Sequence, residues 1–548
     1  MQEAVSFIKL FENRIREGWN DPSIGDYGGK TYTYGEIAKL ISQLHLVYSQ
    51  AGVCRGDRVA LCGSNSSRWG IAFVAALTYG AVPVPILPDF QSDQIHNIVN
   101  HCDTELLFAT QSIYERLHQK EMPHVKAFLY LEDYTLAYSE SADIQSAMDD
   151  LDRLYTERYP NGITPSDVKY KAEDSEDDLA MLNYTSGTSG FSKGVMIPYR
   201  ALYNNYVFAS SVFPRGNMLS LLPMAHMYGL MFEFIFPLIA GYRLTLLTKM
   251  PSPVILKKAL LKVRPSIMFA VPLIVEKIVK KQILPKLSGK KVMKYVKWPV
   301  IGYFLSCIIR KQVMKAFGGK VTEVIVGGAA INSSIDEFLY DIGFPLANGY
   351  GATECAPLIS YERWNKRVKG SCGKAIMNMK IKINSTDPQH VPGEILVSGL
   401  NVMLGYYKDE KATEETIDSE GWYHTGDLGL LDKKGNLFIK GRIKNMLLGP
   451  SGQNIYPEEI EDQINSMLMV SESVVVQRQG KLVALVYPDY EDAHSLGLTD
   501  EHVANIMELN RVDINEMIPA YERITSFEIV KQEFEKTPKK SIKRFLYK

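Results

Sequence analysis

Cysteine is scarce in this 548-residue sequence, which contains six cysteines and no Cys-x-x-Cys pair. None of the six lies in a cluster with histidines, and this argues against a structural zinc site. The spacing also gives no indication of a disulfide framework. We therefore expect free thiols in a reducing compartment.

The sequence also lacks an excess of one charge and a long apolar run. Lys plus Arg total 61 and Asp plus Glu total 62, so there is no basic excess of the kind that nucleic-acid binders carry. The longest apolar run, residues 298–309, is interrupted by a Pro and a Gly; a membrane-spanning helix needs about 20 residues. The first ten residues do not show the layout of a signal peptide. We expect a cytoplasmic protein without a nucleic-acid partner.

The composition is that of a folded globular protein, with 46% hydrophobic and 22% charged residues. In the first third, Thr33 and Glu36 have the spacing of a capping box at the start of a helix. A strand is predicted over residues 58–62, a helix over 69–79 and a second strand before residue 87. This alternation predicts parallel sheets covered by helices. We expect the βα series to continue to about residue 440.

After residue 441 the pattern changes to α+β. Helices are predicted over residues 457–468 and 501–517, and strands over 473–476 and 482–487. We place a domain boundary near residues 442–445.

One segment, residues 277–320, is strongly basic, with twelve Lys or Arg and no Asp or Glu. Aromatic residues lie between the basic ones, among them Tyr303 and Phe304. Basic residues near an anionic membrane surface each contribute about 1 kcal/mol. The segment therefore predicts peripheral membrane contact at the inner membrane face, and the alternative is a solvated face over a buried helix.

The most informative segment is residues 184–194, Tyr-Thr-Ser-Gly-Thr-Ser-Gly-Phe-Ser-Lys-Gly, which follows a short apolar run. Glycines let backbone N–H groups close around an anion, hydroxyls donate hydrogen bonds to phosphate oxygens, and a lysine adds positive charge. A Walker A loop needs Gly before the Lys and a hydroxyl after it, and this segment has neither. The phosphate-binding candidates are Thr185, Ser186, Gly187, Thr188, Ser189, Gly190 and Lys193. A flexible polar loop is the alternative.

This segment resembles the signature of the adenylate-forming superfamily, and an ordered series of further motifs extends the resemblance over roughly residues 10–548. The chain looks closest to long-chain fatty acid–CoA ligases. It departs from the usual signature at Ser189 and at Ser192, where the family has Pro.

The resemblance implies an α/β fold with two domains. The large N-terminal domain, residues 1–441, would contain two αβ-sheet subdomains and a small β-barrel-like unit. Residues 442–548 would form a small mobile α+β domain, with a hinge near Lys444.

Two glycine-containing motifs resemble the family's nucleotide pocket. The first supplies Gly328, Ala329 and Ala330, and the second supplies Asn348, Gly349, Tyr350 and Gly351. The resemblance implies that Tyr350 packs on adenine, that Thr353 contacts the α-phosphate and that Glu354 holds Mg²⁺. A carboxylate suits this hard cation, and Thr188 would be a second metal ligand.

Other motifs resemble the family's ribose, acyl and thiol sites. Asp427 would accept hydrogen bonds from both ribose hydroxyls, since a carboxylate can accept two side by side, and Arg442 would also contact the ribose. His226, in a Pro-x-x-His motif, is expected beside the substrate carboxylate. Gly452 and Asn454 resemble the loop that meets the pantetheine arm of CoA.

The C-terminal segment departs from the family. An ungapped match puts Ser541 where the family has a lysine that bridges the carboxylate and the α-phosphate. A hydroxyl cannot cancel the repulsion between these two anions. We therefore expect Lys540 or Lys543 to take this catalytic role, Lys540 through a shift in an irregular backbone and Lys543 from the same face of an extended strand.

The resemblance implies that the protein activates a medium- or long-chain fatty acid with ATP and Mg²⁺, forms a thioester with CoA, and releases AMP and pyrophosphate. Three alternatives stay open. The acceptor is CoA or the phosphopantetheine of a carrier protein; the protein is an enzyme or a degenerate family member that only binds acyl groups or membranes; and it is a monomer or a homodimer.

Overall fold

The computed structural model describes residues 6–170, 175–185, 192–248, 252–284, 301–449, 453–536 and 542–547. The α-helices are Phe7–Glu17, Tyr34–Gln50, Ser67–Tyr79, Ser92–His101, Gln111–Tyr114, Ala142–Asp149, Leu151–Arg158, Tyr199–Val212, Met227–Gly229, Phe236–Ala240, Pro253–Val263, Pro272–Ile278, Ile301–Ala316, Ser333–Asp341, Glu410–Thr416, Pro457–Asn465, Tyr490–Ser495 and Asp500–Met517. Two π-helical turns span Leu230–Ile235 and Val279–Ile283.

The strands of the first half are β1 Pro22–Asp26, β2 Thr31–Thr33, β3 Arg58–Cys62, β4 Val82–Ile86, β5 Thr104–Ala109, β6 Ala127–Tyr130, β7 Leu136–Ser139, β8 Leu179–Thr185, β9 Lys193–Pro198, β10 Asn217–Ser220, β11 Arg243–Leu246 and β12 Ile267–Ala270. Those of the second half are β13 Glu323–Val326, β14 Leu346–Asn348, β15 Tyr350–Gly351, β16 Leu358–Tyr361, β17 Lys374–Ala375, β18 Met379–Asn384, β19 Gly393–Gly399, β20 Gly405–Tyr406, β21 Tyr423–Leu431, β22 Leu437–Arg442, β23 Leu447–Leu448, β24 Asn454–Ile455, β25 Val470–Arg478, β26 Lys481–Pro488 and β27 Ile524–Ile529.

The first part of the chain forms the predicted parallel sheet. Its strand order is β4-β3-β5-β6-β7, parallel from β4 to β6 with β7 as an antiparallel edge. The capping box at Thr33 and Glu36 is present: the Glu36 N–H donates to Thr33 Oγ1 (3.2 Å), and the Thr33 N–H donates to Glu36 Oε2 (2.9 Å). The helix that follows buries Ile37, Ile41 and Leu44 against the large core.

A second αβ unit contains two smaller sheets. Strands β10, β11 and β1 run parallel and β2 is antiparallel, while β12, β13 and β14 form a separate parallel sheet. The helices Pro253–Val263 and Ile301–Ala316 cover the β12–β14 sheet through a second hydrophobic core. Helix 253–263 leads directly into β12, and helix 301–316 leads into β13.

The βα series ends earlier than we expected. After helix Ser333–Asp341 the chain consists mostly of antiparallel strands up to residue 442, with the single helix Glu410–Thr416 among the described residues. Here β18, β19, β21 and β22 form a four-stranded antiparallel sheet. The expectation of βα units to residue 440 was wrong in this part, because short apolar runs do not distinguish a strand of an antiparallel sheet from one of a parallel sheet.

The C-terminal part has cores of its own. Strands β25, β26 and β27 form a sheet on which the helices Pro457–Asn465 and Asp500–Met517 pack. None of the buried residues of these cores belongs to the cores of the preceding part. The predicted boundary near residues 442–445 follows the end of β22, and together with the hinge it stays a prediction.

Several predicted site residues lie outside the described residues, namely Ser186, Gly187, Thr188, Ser189, Gly190, Gly452, Lys540 and Ser541. All six cysteines are described, and all are free thiols. Within the described ranges, no helix has both the length and the hydropathy needed to cross a bilayer.

Candidate nucleotide and acyl site

Three parallel strands end side by side and bring two glycine motifs to one edge of a sheet. The N–H of Gly327 donates to the carbonyl of Ala270 (3.1 Å), and the N–H of Gly349 donates to the carbonyl of Val326 (2.8 Å). Gly328 has a φ of +84°, in the left-handed region that favours glycine. Ligands of open α/β sheets bind beyond the carboxyl ends of the strands, which is where both loops lie.

Close packing against Tyr228 leaves little room for a residue larger than glycine at position 327. A Cβ atom at this position would lie 3.2 Å from the ring of Tyr228, whose hydroxyl donates to the carbonyl of Ile325 (3.1 Å). The loop therefore has Tyr228 on one side, while Gly328, Ala329 and Ala330 are exposed on the other. A flat ring could approach this exposed backbone.

Tyr350, Asp427 and Arg442 form the best-defined group of predicted residues. The Tyr350 hydroxyl donates to Asp427 Oδ2 (2.7 Å), and Arg442 Nε lies 2.9 Å from Asp427 Oδ1. Asp427 and Arg442 are direct partners across β21 and β22, so the strand register places them opposite each other. The carboxylate can accept further hydrogen bonds because its two oxygens offer about four lone-pair sites.

The electrostatics of Asp427 follow from its burial. Desolvation raises the pKa of its carboxyl, while the Arg442 guanidinium and the Tyr350 hydroxyl act in the opposite direction. Burial, and then the neighbouring Asp427 charge, raise the pKa of Tyr350 well above its usual value. The Tyr350 hydroxyl therefore stays protonated and remains a donor to Asp427.

Asn348 offers an acceptor that this fold leaves unused. Its side-chain Oδ1 is buried and has no hydrogen-bond partner among the described residues. A buried carbonyl oxygen without a partner costs free energy until a donor reaches it. The exocyclic amino group of a purine is a donor of the required kind, and Asn348 ends β14 at the edge where the glycine motifs lie.

Lys193, Tyr406 and Glu354 form a second group. The Lys193 ammonium lies 4.5 Å from the centroid of the Tyr406 ring, and the Tyr406 hydroxyl donates to Glu354 Oε1 (3.1 Å). Thr185 and Lys193 are paired across β8 and β9, so the segment between them is the connection of a hairpin. The strand pairing therefore holds both ends of the predicted phosphate loop close to Glu354.

The carboxylate of Glu354 fits a magnesium ion that arrives with a nucleotide. Mg²⁺ is bound in such sites by one or two carboxylates together with substrate phosphates and water. Glu354 is a half-buried carboxylate in the middle of the turn Thr353–Cys355, whose other two residues are buried. No group of three or more His, Cys, Asp or Glu able to hold a metal occurs among the described residues, so the chain itself offers Glu354 rather than a closed cage.

His226 precedes helix Met227–Gly229, in a loop that side chains from other parts of the chain hold. Its Nδ1 accepts a hydrogen bond from the N–H of Tyr228 (3.3 Å), at the start of helix Met227–Gly229. Asn183 donates to the carbonyl of Ala225 (3.1 Å), and Asn65 bonds both the Leu222 carbonyl and the Met224 N–H. The loop before His226 is therefore fixed by side chains from two other parts of the chain.

Glu233 makes three further hydrogen bonds to the segment that leads to this loop. It was not predicted from the sequence. Its Oε2 accepts from the N–H groups of Leu221 (2.8 Å) and Leu222 (2.7 Å) and from the Ser220 hydroxyl (3.2 Å). Its Oε1 is buried without a hydrogen-bond partner among the described residues. Burial raises the pKa of Glu233 to about 8, although these three hydrogen bonds favour the charged form.

No hydrogen bond or ion pair joins the described residues Lys444, Asn454 and Lys543 to these groups. Lys444 is exposed in the turn Ile443–Asn445 that follows β22, and Asn454 is exposed in the hairpin of β23 and β24. Lys543 Nζ lies 3.3 Å from Glu535 Oε2, so a carboxylate of its own domain engages its charge. Their proposed roles stay predictions.

Tyr406 and Asn183 were also not predicted from the sequence as residues of the site. Tyr406 comes from β20, more than fifty residues after Glu354, and only the pairing of β20 with β9 brings it to Lys193. Asn183 directly follows the apolar run of residues 179–182, and only the structure shows that it is buried.

The strand-edge loops and the Tyr350–Asp427–Arg442 group have the geometry expected of a nucleotide-binding protein. A family model described as AMP-binding enzyme matches residues 11–407, and one described as AMP-binding enzyme C-terminal domain matches residues 445–547. The chain belongs to the AMP-binding enzyme family. This confirms the resemblance to adenylate-forming enzymes and the α/β fold with a large N-terminal and a smaller C-terminal domain.

Individual proteins agree with this assignment. The long-chain-fatty-acid–CoA ligase heimdall of Drosophila melanogaster is 26% identical over 84% of this chain and 71% of its own. Peroxisomal long chain acyl-CoA synthetase 7 of Arabidopsis thaliana is 27% identical over 93% of this chain and 76% of its own. The crystal structure of the anthranilate CoA ligase AuaEII with anthranoyl-AMP superposes with a TM-score of 0.78 at 18% identity, covering 100% of this chain and 97% of that one.

Proposed function

We propose that this protein is an ATP-dependent acid–CoA ligase that acts on medium- or long-chain fatty acids. The family supports adenylate formation, and the names of the curated relatives support CoA as acceptor and a long-chain fatty acid as substrate. A structural neighbour is named for an aromatic acid, anthranilate, so the acyl group is the finer part of the proposal.

The observation that carries the proposal is the group formed by Tyr350, Asp427 and Arg442. A buried carboxylate fixed by a hydroxyl and a guanidinium, with lone pairs to spare, suits the two adjacent hydroxyls of a ribose. The unpartnered Oδ1 of Asn348 would accept from the adenine amino group. In this proposal the three residues contact the sugar of ATP and Asn348 contacts its base.

In the first half-reaction, an oxygen of the fatty acid carboxylate attacks the α-phosphorus of ATP. A new oxygen–phosphorus bond forms, the bond from the α-phosphorus to the bridging oxygen breaks, and pyrophosphate leaves. Lys193 and the loop between β8 and β9 would bind the phosphates. Glu354 would hold Mg²⁺, which supplies compensation for phosphate charge when it is bound.

In the second half-reaction, the CoA sulfur attacks the carbonyl carbon of the acyl-adenylate. The carbon–sulfur bond forms, AMP leaves with the carboxylate oxygen, and the thiol proton is released to solvent. The chain needs no covalent nucleophile for either step. The Gly452–Asn454 loop is proposed to meet the pantetheine arm of CoA.

Buried aromatic rings pack next to the loop that carries His226, and we propose that they form an apolar wall for a hydrocarbon chain. Phe232 and Phe269 stack with ring centroids 5.2 Å apart, and Tyr228 packs edge-on against both. Glu233 fixes the loop that leads to His226, and this places the polar end of the site next to these rings. We propose that the carboxylate of the acid lies near His226 with its chain along this wall.

ATP–pyrophosphate exchange with acids of graded length tests the first half-reaction. We expect exchange that increases from short to long fatty acids and is weak with aromatic acids such as anthranilate. Thioester formation is then measured with CoA and with a phosphopantetheine-loaded carrier protein, and we expect CoA to be the better acceptor.

Each alternative has its own result in this experiment. Preference for an aromatic acid would replace the substrate class, and preference for the carrier protein would replace the acceptor. Binding of acyl chains without any exchange would identify a family member that has lost catalysis, and this would overturn the proposed function.

A further inference from the structure

Two neighbouring helices expose large apolar side chains that the proposed reaction does not use. In helix Ile301–Ala316, Tyr303 is 67%, Phe304 64% and Ile308 57% exposed. In helix Pro253–Val263, Val254 is 62% exposed, and Ile255 and Leu261 are also exposed. Single exposed apolar residues are common on proteins, but a group of six on adjoining helices is not.

The exposed face of helix 301–316 is well defined, because its opposite face is firmly packed. Ile309 and Val313 are buried in the second hydrophobic core, which also includes Leu256, Ala259 and Leu260 of helix 253–263. The two helices pack against each other over this core. Their outward faces therefore form one surface, which we call the apolar–basic surface.

Lysines complete this surface. On helix 301–316, residues 304, 308, 311 and 315 follow one helical face, so Phe304 and Ile308 continue into Lys311 and Lys315. Helix 253–263 adds the adjacent, exposed pair Lys257 and Lys258. Neither helix contains Asp or Glu, and these four lysines have no ion-pair partner in the part of the chain that the structure describes.

The topology places the first turns of both helices at the same end of the sheet as the candidate nucleotide site. Helix 253–263 returns to the start of β12 and helix 301–316 to the start of β13 through short connections, so both run opposite to the strands. Their first turns, which carry Val254, Tyr303 and Phe304, therefore lie towards the carboxyl ends of β12 and β13. The glycine loops of the nucleotide site begin at those same strand ends.

We propose that the apolar–basic surface docks on an anionic lipid membrane. Aromatic residues such as Tyr303 suit the level of the lipid headgroups, and each lysine near an anionic surface is worth about 1 kcal/mol. A second copy of the chain is disfavoured, because two such surfaces in contact would oppose lysines to lysines. Docking would place the acyl site next to the phase in which long-chain acids dissolve.

The experiment is co-sedimentation of the full chain with vesicles, which does not require any enzymatic activity. We expect binding to vesicles that contain phosphatidylglycerol, weaker binding to pure phosphatidylcholine, and loss of binding at high salt. The double change Lys257→Glu/Lys258→Glu should weaken binding by about 30-fold or more. Lys433→Glu/Lys434→Glu is the matched control, since it reverses an equally exposed adjacent pair elsewhere and should leave binding unchanged.

The apolar residues are tested in the same way. Tyr303→Ser/Phe304→Ser should weaken binding by on the order of tenfold or more, whereas Leu509→Ser/Val512→Ser, two exposed residues of helix Asp500–Met517, should not. Circular dichroism and thermal unfolding of every variant check that the fold is kept.

Three results would overturn the inference. The first is failure of the wild-type chain to bind anionic vesicles, and the second is equal loss of binding in the test and control variants. The third is a dimer in solution that Tyr303→Ser/Phe304→Ser dissociates, which would assign the surface to a second copy of the chain. None of these results depends on whether the proposed ligase activity is correct.

Discussion

The nucleotide pocket and the C-terminal segment differ in how the structure holds their polar residues. Asp427 and Arg442 face each other through strand register, and the hydroxyl of Tyr350 completes the group. Lys543, by contrast, is paired with Glu535 within its own domain. The first group is already assembled in this structure, whereas Lys543 would have to exchange its partner to take the proposed role.

The two half-reactions of the proposed mechanism would therefore depend on different features of the structure. Binding of ATP would rely on side chains that are already fixed, so little free energy would be spent on ordering them. Charge compensation by a lysine of the C-terminal segment would rely on the proposed movement of the C-terminal part, whose core is separate. Changes in the first region should reduce binding and rate together, and changes in the second should separate the two half-reactions.

The largest effect is expected for Asp427→Ala. Removal of two charge-assisted hydrogen bonds to the ribose should cost on the order of 3–6 kcal/mol, which is roughly 10²–10⁴ in the rate of adenylation. ATP–pyrophosphate exchange and ATP binding are measured together. Asp152→Ala, which removes an exposed carboxylate on helix Leu151–Arg158, is the control, and unchanged ATP affinity and exchange in Asp427→Ala would refute the ribose role.

The next effect concerns the lysine that replaces the family residue at Ser541. We expect either Lys540→Ala or Lys543→Ala to slow adenylation by roughly 10–10³, since a lost ammonium leaves two anions opposed. The pairing of Lys543 with Glu535 favours Lys540. Pyrophosphate release is the measurement, with Lys531→Ala as a control at an exposed lysine of the same segment. Normal adenylation by both single variants and by the double variant would show that this segment does not complete the site.

Lys444→Pro tests whether the C-terminal part moves. Proline restricts φ and should hold the turn Ile443–Asn445 in one conformation. We expect one half-reaction to survive and the other to fall by at least about tenfold, whereas Lys444→Ala should support both. Equal loss of both half-reactions in a folded Lys444→Pro protein would argue against a pivot at this residue.

The last prediction concerns stability rather than rate, and it is a change in the pH dependence of unfolding at Glu233. Because burial raises its pKa from 4.5 to about 8, the folded state binds the proton more tightly than the unfolded state does. Wild-type stability should therefore fall as the pH rises from about 4.5 to 8, by up to roughly 5 kcal/mol. Glu233→Gln keeps a carbonyl acceptor for Leu221 and Leu222 and should lack this slope.

Unfolding in denaturant at several pH values measures the Glu233 effect. Glu414→Gln, at an exposed carboxylate, should keep the wild-type slope. Parallel curves for the wild type and Glu233→Gln would mean that Glu233 stays ionised in the folded protein and that its three hydrogen bonds outweigh its burial.

Much of the site could be predicted because it consists of short motifs. The order of glycines, hydroxyls and carboxylates in residues 184–194, 327–330 and 348–354 indicated a phosphate and nucleotide site, and the resemblance assigned roles to Tyr350 and Asp427. The capping box at Thr33 was also readable, since both of its hydrogen bonds join residues three positions apart. Local spacing is sufficient wherever the interacting atoms belong to neighbouring residues.

Other features were decided by the tertiary structure alone. The sequence shows Glu233 only as one acidic residue in an apolar segment. The fold buries it, and its carboxylate accepts hydrogen bonds from the Leu221 and Leu222 N–H groups. Tyr406 reaches Lys193 and Glu354 only through the pairing of β20 with β9. The basic segment was visible in the sequence, but the packing of helix 253–263 against helix 301–316 decided that its apolar residues face outward on one surface. Such contacts join residues far apart in the chain, and burial, which sets both their strength and the pKa of Glu233, exists only in the folded protein.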